Sequence, residues 1–245
     1  MPEAEPKPPI PDDAYHAAMR WNAPLSEAHA SVLLDALELD GAERVLDLGC
    51  GWGELLMRAM QRAPGLSGLG VDTDAAALQR GRALAAARGL GERLTLLDTG
   101  GEAWTEPADR VICVGASHIW ERTAAALAAL AALVVPGGRL LYGDGFVEPG
   151  SSEFTTGLFE EFGPLGDVVA AASQAGWRVL HLSVSDLLEW DEFESTFRAG
   201  PERWLLANPD VERAPAAREW LDMRLREYVD GYRGELGFGW LVLAR

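Results

Sequence analysis

Basic residues are scarce in this chain: of its 245 residues, 21 are Lys or Arg against 38 Asp or Glu, for a formal net charge of -17. Nucleic-acid binding rests on cationic patches that release counterions, and no basic stripe occurs here. A polyanionic partner is therefore disfavoured and a small-molecule substrate expected. Cysteine is scarce too. Cys50 and Cys113, with no paired ligand spacing around either, offer neither a disulfide framework nor a zinc site and read as thiols of a reducing compartment. No apolar run reaches the roughly 18 residues that cross a bilayer, and the N-terminus has neither a basic region nor an apolar signal core. The expectation is a soluble, cytoplasmic protein with no membrane contact and one well-buried core, whose oligomeric state the sequence leaves open.

What is present begins with Val45-Leu-Asp-Leu-Gly-Cys-Gly-Trp-Gly-Glu-Leu-Leu56, an apolar run, a turn with three alternate glycines and an apolar-periodic segment. That pattern reads as a buried parallel strand, a tight turn and a helix. Gly49, Gly51 and Gly53 permit positive φ and let a ligand approach the backbone at the helix start, so the stretch is a nucleotide-cofactor cradle. The dinucleotide fingerprint is incomplete, because counting from Gly49 its last glycine is replaced by Glu54. Asp47 and Glu54 flank the turn where a pyrophosphate would need to sit, and a ligand with a cationic portion fits better. A second apolar strand, Gly68 to Val71, ends in Asp72-Thr73-Asp74, close to the spacing of about 20 residues at which an acid accepts ribose hydroxyls.

Taken in order, residues 1 to 12 are Pro-rich and read as a mobile arm, and Asp13 to Leu39 as two helices broken at Asn22-Ala23-Pro24, the second capped by Ser26. Strands follow at about 67–71, 93–97 and 109–114, separated by helices, the one after Asp74 stopping at Gly89. This alternation is a parallel, doubly wound sheet. The fourth strand runs into Gly115-Ala116-Ser117-His118 beside the switch point, where ligands of open α/β sheets lie. His118 there can accept a proton from an attacking hydroxyl, amine or acidic carbon, or serve only as a structural residue. No converging carboxylates accompany it, and no metal is expected. Beyond a helix at about 122–133, Pro136-Gly137-Gly138 opens a fifth strand, with Asp144 at its carboxyl end on the expected pocket rim. Residues 149–164 read as a loop or short lid, 165–175 as a helix and 177–184 as a sixth strand. Residues 186–234 then hold two charged helices broken at Ala207-Asn208-Pro209, more chain than a connection needs.

Asp47 with Gly49, Gly51 and Gly53, Asp72, and the Pro-Gly-Gly turn together resemble the class I S-adenosylmethionine-dependent methyltransferases, over residues 42 to 145 without a large gap. The chain as a whole, with Asn22-Ala23-Pro24-Leu25-Ser26-Glu27 and the closing Leu236-Gly237-Phe238-Gly239-Trp240, looks like one bacterial group of these enzymes that act on small molecules. The resemblance implies an α/β, Rossmann-like, doubly wound seven-stranded sheet whose last strand, Gly237 to Ala244, is antiparallel. It also implies N-terminal helices over the cofactor mouth (residues 1–41) on a methyltransferase domain (42–245) with a helical cap at about 186–234. S-adenosylmethionine would be the cofactor and S-adenosylhomocysteine the product. Asp47, Gly49, Cys50, Gly51 and Gly53 would hold its methionine end, and Asp72 and Thr73 its ribose. The family places an acid for the adenine amino group at what is here Gly100. Asp98 is the first choice to replace it, with Gly100 and Gly101 contributing backbone, and Gly115 and Ala116 completing the cofactor contacts. Tyr15, His16, Trp21, Ser117 and Asp144 are substrate-side candidates, although aromatics in an amphipathic helix also serve simply as core. The implied activity is methyl transfer to O, N or C of a small molecule. A regulatory cofactor-binding protein is the alternative, and a nicotinamide-dependent oxidoreductase a weaker one.

Overall fold

The computed structural model describes residues 10–245. Most of the Pro-rich arm, residues 1–9, lies outside the described residues. In chain order the elements are α1 (Asp12–His16), α2 (Glu27–Ala36), β1 (Arg44–Leu48), α3 (Glu54–Arg62), β2 (Ser67–Asp72), α4 (Ala75–Ala87), β3 (Leu94–Asp98) and β4 (Ala108–Val114). There follow α5 (Thr123–Leu130), β5 (Val134–Val147), α6 (Glu153–Leu158), α7 (Leu165–Gln174), β6 (Arg178–Val184), α8 (Leu187–Ala207), α9 (Ala214–Arg226) and β7 (Leu236–Ala244).

The strands form one seven-stranded sheet in the order β3-β2-β1-β4-β5-β7-β6. β1 to β5 pair in parallel, and β7 runs antiparallel between β5 and β6. Alternation along each strand sends neighbouring side chains to opposite faces, which builds two cores. Val45, Ile112, Leu141 and Val242 pack with Leu33, Leu56 and Leu78 of α2, α3 and α4 on one face. Leu46, Val111, Cys113 and Leu140 pack with Leu127 of α5 and Ala172 of α7 on the other. Trp177, expected to open the sixth strand, instead precedes it, buried and donating its indole N–H to Leu127 O at 2.9 Å. The Pro136-Gly137-Gly138 turn does not precede β5 but lies within it. The pairing with β4 shifts register there, so the turn is absorbed as a bulge.

The segment expected as a loop or lid at 149–164 contains α6, capped by Ser152 Oγ. Glu235 at the entry to β7 accepts from Thr155 Oγ1 at 2.5 Å and from Ser152 Oγ at 2.7 Å, tying α6 to the sheet. The long excursion forms α8 and α9. Asp186 and Glu189 close a capping box on α8, and Tyr15 of α1 packs in a separate cluster with Leu205, Ala217 and Leu221. Among the described residues no helix is long and apolar enough to cross a membrane.

α1 can lie on α8 only because residue 200 has no side chain. A Cβ there would fall on the carbonyl oxygen of Ala14. Gly200→Ala therefore has to push α1 off α8. Overpacking of this kind costs about 1–3 kcal/mol, and a thermal melt should show Tm lower by several degrees.

Candidate active site

A cavity of about 370 Å³ opens at the carboxyl ends of β1, β2 and β4. Its floor is the turn between β1 and α3, where Gly49, Gly51 and Gly53 take φ of 69°, 54° and 73°. Gly49 is also required by space, since a Cβ there would stand 2.5 Å from the Cβ of Ala116, which packs against the turn. The turn is closed by Asp72 at the end of β2, whose Oδ2 accepts from the N–H of Gly51 at 2.7 Å and whose Oδ1 accepts from Asp74 at 2.8 Å.

Asp47 contributes the unusual electrostatics. It lines the cavity yet is 4% exposed, and its carboxylate receives no hydrogen bond from the described residues. Burial, with the nearby Asp72 as the lesser cause, pushes its carboxyl up to about 8. Burial, then Asp47 and Asp72, likewise push the Cys50 thiol up, so it stays protonated and unreactive. Glu54, the other acid flanking the turn, is satisfied instead: Arg58 Nε and Arg88 donate to it at 2.8 and 2.7 Å. One acid at the floor thus has no donor among the described residues, and the other has two arginines.

The roof is not made by helices, as expected from the resemblance, but by the segment between α1 and α2. Trp21, Asn22, Ala23 and Leu25 line the cavity. This strap is clamped at both ends. On one side Trp52 donates its indole N–H to Arg20 O at 3.1 Å, while Arg80 lies 4.1 Å over the Trp52 ring and donates to His16 O and Met19 O. On the other side Ser185 Oγ donates to Pro24 O at 2.5 Å, and Ser26 N donates to Glu189 at 2.7 Å. Glu189 also meets His29 Nδ1 at 3.1 Å, whose Nε2 reaches Ser183 Oγ at 2.7 Å. Burial opposes ionisation of Glu189, but the bonds from His29, Ser26 and Asp186 outweigh it and hold the carboxyl at about 2.

Of the residues singled out in the sequence, Asp47, Gly49, Cys50, Gly51, Asp72, Thr73, Gly100, Gly101, Gly115, Ala116, His118 and Trp21 converge on this one cavity. Six do not. Gly53 is buried under Leu96 and serves the turn rather than the lining. Asp98 is exposed at the tip of β3. The chain folds back after Thr99, which donates to Asp72 O, and the short helical turn Gly101–Ala103 brings Glu102 to the cavity instead. Tyr15 is turned away, 5.6 Å from Phe197 and 6.0 Å from Trp220. His16 sits behind the lining, 5.5 Å from the Trp52 ring. Ser117 is buried outside the cavity. Asp144 is no rim residue but a buried hub, accepting from Tyr142 Oη at 2.7 Å, Thr123 Oγ1 at 3.1 Å and Gly145 N at 3.0 Å. Asn22, Glu54, Thr99, Glu102 and Val114 also line the cavity. Among the described residues no group of three His, Cys, Asp or Glu could hold a metal ion.

A positive-φ glycine turn after β1, an acid after β2 and a seven-stranded sheet with an antiparallel β7 define a class I methyltransferase. A family profile described as a methyltransferase domain matches residues 45–138. The Escherichia coli protein YjhP is 31% identical over 233 residues, covering 92% of this chain and 93% of that one. A methyltransferase from Geobacter sulfurreducens, crystallised with S-adenosylhomocysteine, superposes with a TM-score of 0.85 at 28% identity, covering 94% of this chain and 96% of that one. One from Thiobacillus denitrificans with the same ligand gives 0.83 at 29%, covering 96% and 99%. The chain belongs to the class I S-adenosylmethionine-dependent methyltransferases, and S-adenosylmethionine is its cofactor.

The raised Asp47 carboxyl has a stability consequence in the unliganded protein. With the folded carboxyl at about 8 against an ordinary value of 3.8, folding favours the protonated acid. Its contribution is fully present below pH 4 and is lost as pH rises, at about 1.4 kcal/mol per pH unit, flattening above the folded value. Asp47→Asn, which removes the buried charge, should melt higher than wild type at pH 8, and the two Tm curves should draw together as pH falls and converge only near pH 4.

Proposed function

We propose that this enzyme methylates O, N or C of a small molecule, with the cofactor's methionine ammonium received by Asp47. The observation that carries the reading is Asp47 itself, a buried carboxylate facing the cavity with no donor of its own. A cationic ammonium supplies both the charge and the hydrogen bonds that this group lacks. Asp72, with Thr73 beside it, is placed for the ribose hydroxyls, and Thr99 to Glu102 for the adenine. Glu102 takes the part expected of Asp98.

S-adenosylmethionine, when bound, would supply a methyl group on a sulfonium centre, and attack on that carbon would break the S–CH3 bond with S-adenosylhomocysteine as the leaving group. The chain's own residues bind, orient and exclude water. Trp21, Asn22 and Leu25 roof the cavity opposite Val114 and His118, enclosing the acceptor between the strap and the end of β4. Holding reactants in near-attack geometry is worth up to about 7–11 kcal/mol in well-oriented cases. The His118 imidazole takes the proton that a hydroxyl, amine or acidic carbon loses as it attacks. A small acceptor is supported by the size of the space: a neighbouring cavity of about 300 Å³ shares Trp21, Ala23 and Leu25 and is bounded by Phe193 and Thr196 of α8.

Two measurements test this. Calorimetric titration with S-adenosylhomocysteine between pH 5.5 and 7.5 should show affinity rising close to tenfold per pH unit, because Asp47 must lose its proton to receive a cation. Asp47→Asn should bind weakly with that slope abolished; a wild-type affinity independent of pH removes the ion pair. His118→Ala, assayed by labelled methyl transfer to a panel of hydroxyl, amine and carbon acids, should lower kcat by about 10²–10⁴ with cofactor affinity unchanged. Unaltered turnover removes His118 from the reaction.

A further inference from the structure

The space beside the cofactor cavity has a charge of its own. The two cavities share Trp21, Ala23 and Leu25 and so adjoin along the strap. Among the described residues no Lys or Arg lines the first cavity, and Arg20 alone lines the second. Arg20 is already paired with Glu27, which also takes Arg58 at 2.9 Å. A carboxylate or phosphate on the acceptor would enter this space without a free counter-charge.

The acids of the second cavity divide the other way. Glu27 is held by its two arginines. Glu189 is consumed by the strap clamp, where it accepts from Ser26 N at 2.7 Å and Asp186 N at 3.0 Å and meets His29. Glu192 is left over: it lines the cavity, is exposed, and its carboxylate has no partner among the described residues. Thr196, one turn on, spends its hydroxyl on the Glu192 carbonyl at 2.8 Å. Two aromatic rings line the same space. Phe193 meets Trp190 edge-on at 5.9 Å, and Trp21 has the Arg58 guanidinium 5.5 Å from its ring centroid, a cation at one of its two faces. Aromatic faces attract a cation through the ring quadrupole, and a carboxylate beside them adds to the attraction; a neutral group of the same shape receives neither.

Resting on the small-molecule methyl transfer proposed above, we propose that the acceptor carries an ammonium group as its handle. Phe193, Trp21 and the Glu192 carboxylate bind that group in the second cavity, while a different atom of the acceptor reaches the first cavity to be methylated. Holding the handle in the second cavity also keeps its charge away from the sulfonium, which like-charge repulsion would otherwise oppose.

Ligand-observed NMR titration of the protein saturated with S-adenosylhomocysteine tests the handle with three probes of one shape: choline, 3,3-dimethyl-1-butanol and 3,3-dimethylbutanoate. Choline should bind about tenfold tighter than the neutral alcohol, and the carboxylate most weakly. Glu192→Gln should erase most of the choline preference while leaving the alcohol and S-adenosylhomocysteine unaffected. Glu192→Lys should invert the order in favour of the carboxylate. Glu92→Gln, an exposed acid at the opposite ends of the strands, should change nothing and so separates the site from the acidity of the chain as a whole. An alcohol that binds as tightly as choline, a choline preference that survives Glu192→Gln, or an order unmoved by Glu192→Lys overturns the proposal. Failure of the Asp47 or His118 tests would strike the mechanism proposed above and leave this comparison standing, so the two are distinguishable.

Discussion

A carboxylate buried without a donor is the constraint around which this structure is arranged. Asp47 sits near the end of β1, where burial, with Asp72 as the lesser cause, pushes its carboxyl up to about 8. An unpaired buried charge is costly, and the protein retains the group rather than neutralising it with an arginine as it does Glu54. The neighbouring geometry protects that state. Gly49 and Gly51 leave the floor open, and the Gly51 N–H is engaged by Asp72, so it is not directed at Asp47. The site thus holds one buried acid with no donor among the described residues, which is the basis for assigning it the cofactor's ammonium in the proposed function.

The roof follows a different logic. Trp21 to Leu25 has no regular structure of its own, and its position comes from two clamps built by distant residues. Arg80 of α4 and Trp52 of the cradle fix its beginning, so the cofactor turn and the roof share one support. Ser185 and Glu189, from the start of the long excursion, fix its end through Pro24, Ser26 and His29. The excursion that seemed too long for a connection is used in this way, as a buttress for the strap as well as a wall of the second cavity.

This division explains which parts of the site could be read from the sequence. The cradle was legible because strand, positive-φ turn and helix are contiguous in the chain, and a glycine at such a turn reports a local backbone need. Asp72 followed from spacing along one βαβ unit. Asp98 was preferred for the acid that the family places at Gly100, two residues on; the structure leaves Asp98 exposed at the end of β3, and a short helical turn carries Glu102 to the cavity. Asp144 misled for another reason. A strand-end acid reads as rim from the sequence, but Tyr142 and Thr123, brought near by the fold, claim its oxygens. Tyr15 and His16 depended on how α1 meets α8, which turns on the absent side chain of Gly200, a feature of no helical period.

The same argument bears on specificity. Residues of the glycine turn and Asp72 are held by contacts local to β1, β2 and the turns after them. The acceptor side is assembled from the strap, the end of β4 and α8, each positioned by residues far away in sequence. A change at Glu189 or Gly200 would alter the support of the strap or of α1 without altering the glycine turn, whereas one at Arg80 would reach both the strap and Trp52 of the cradle.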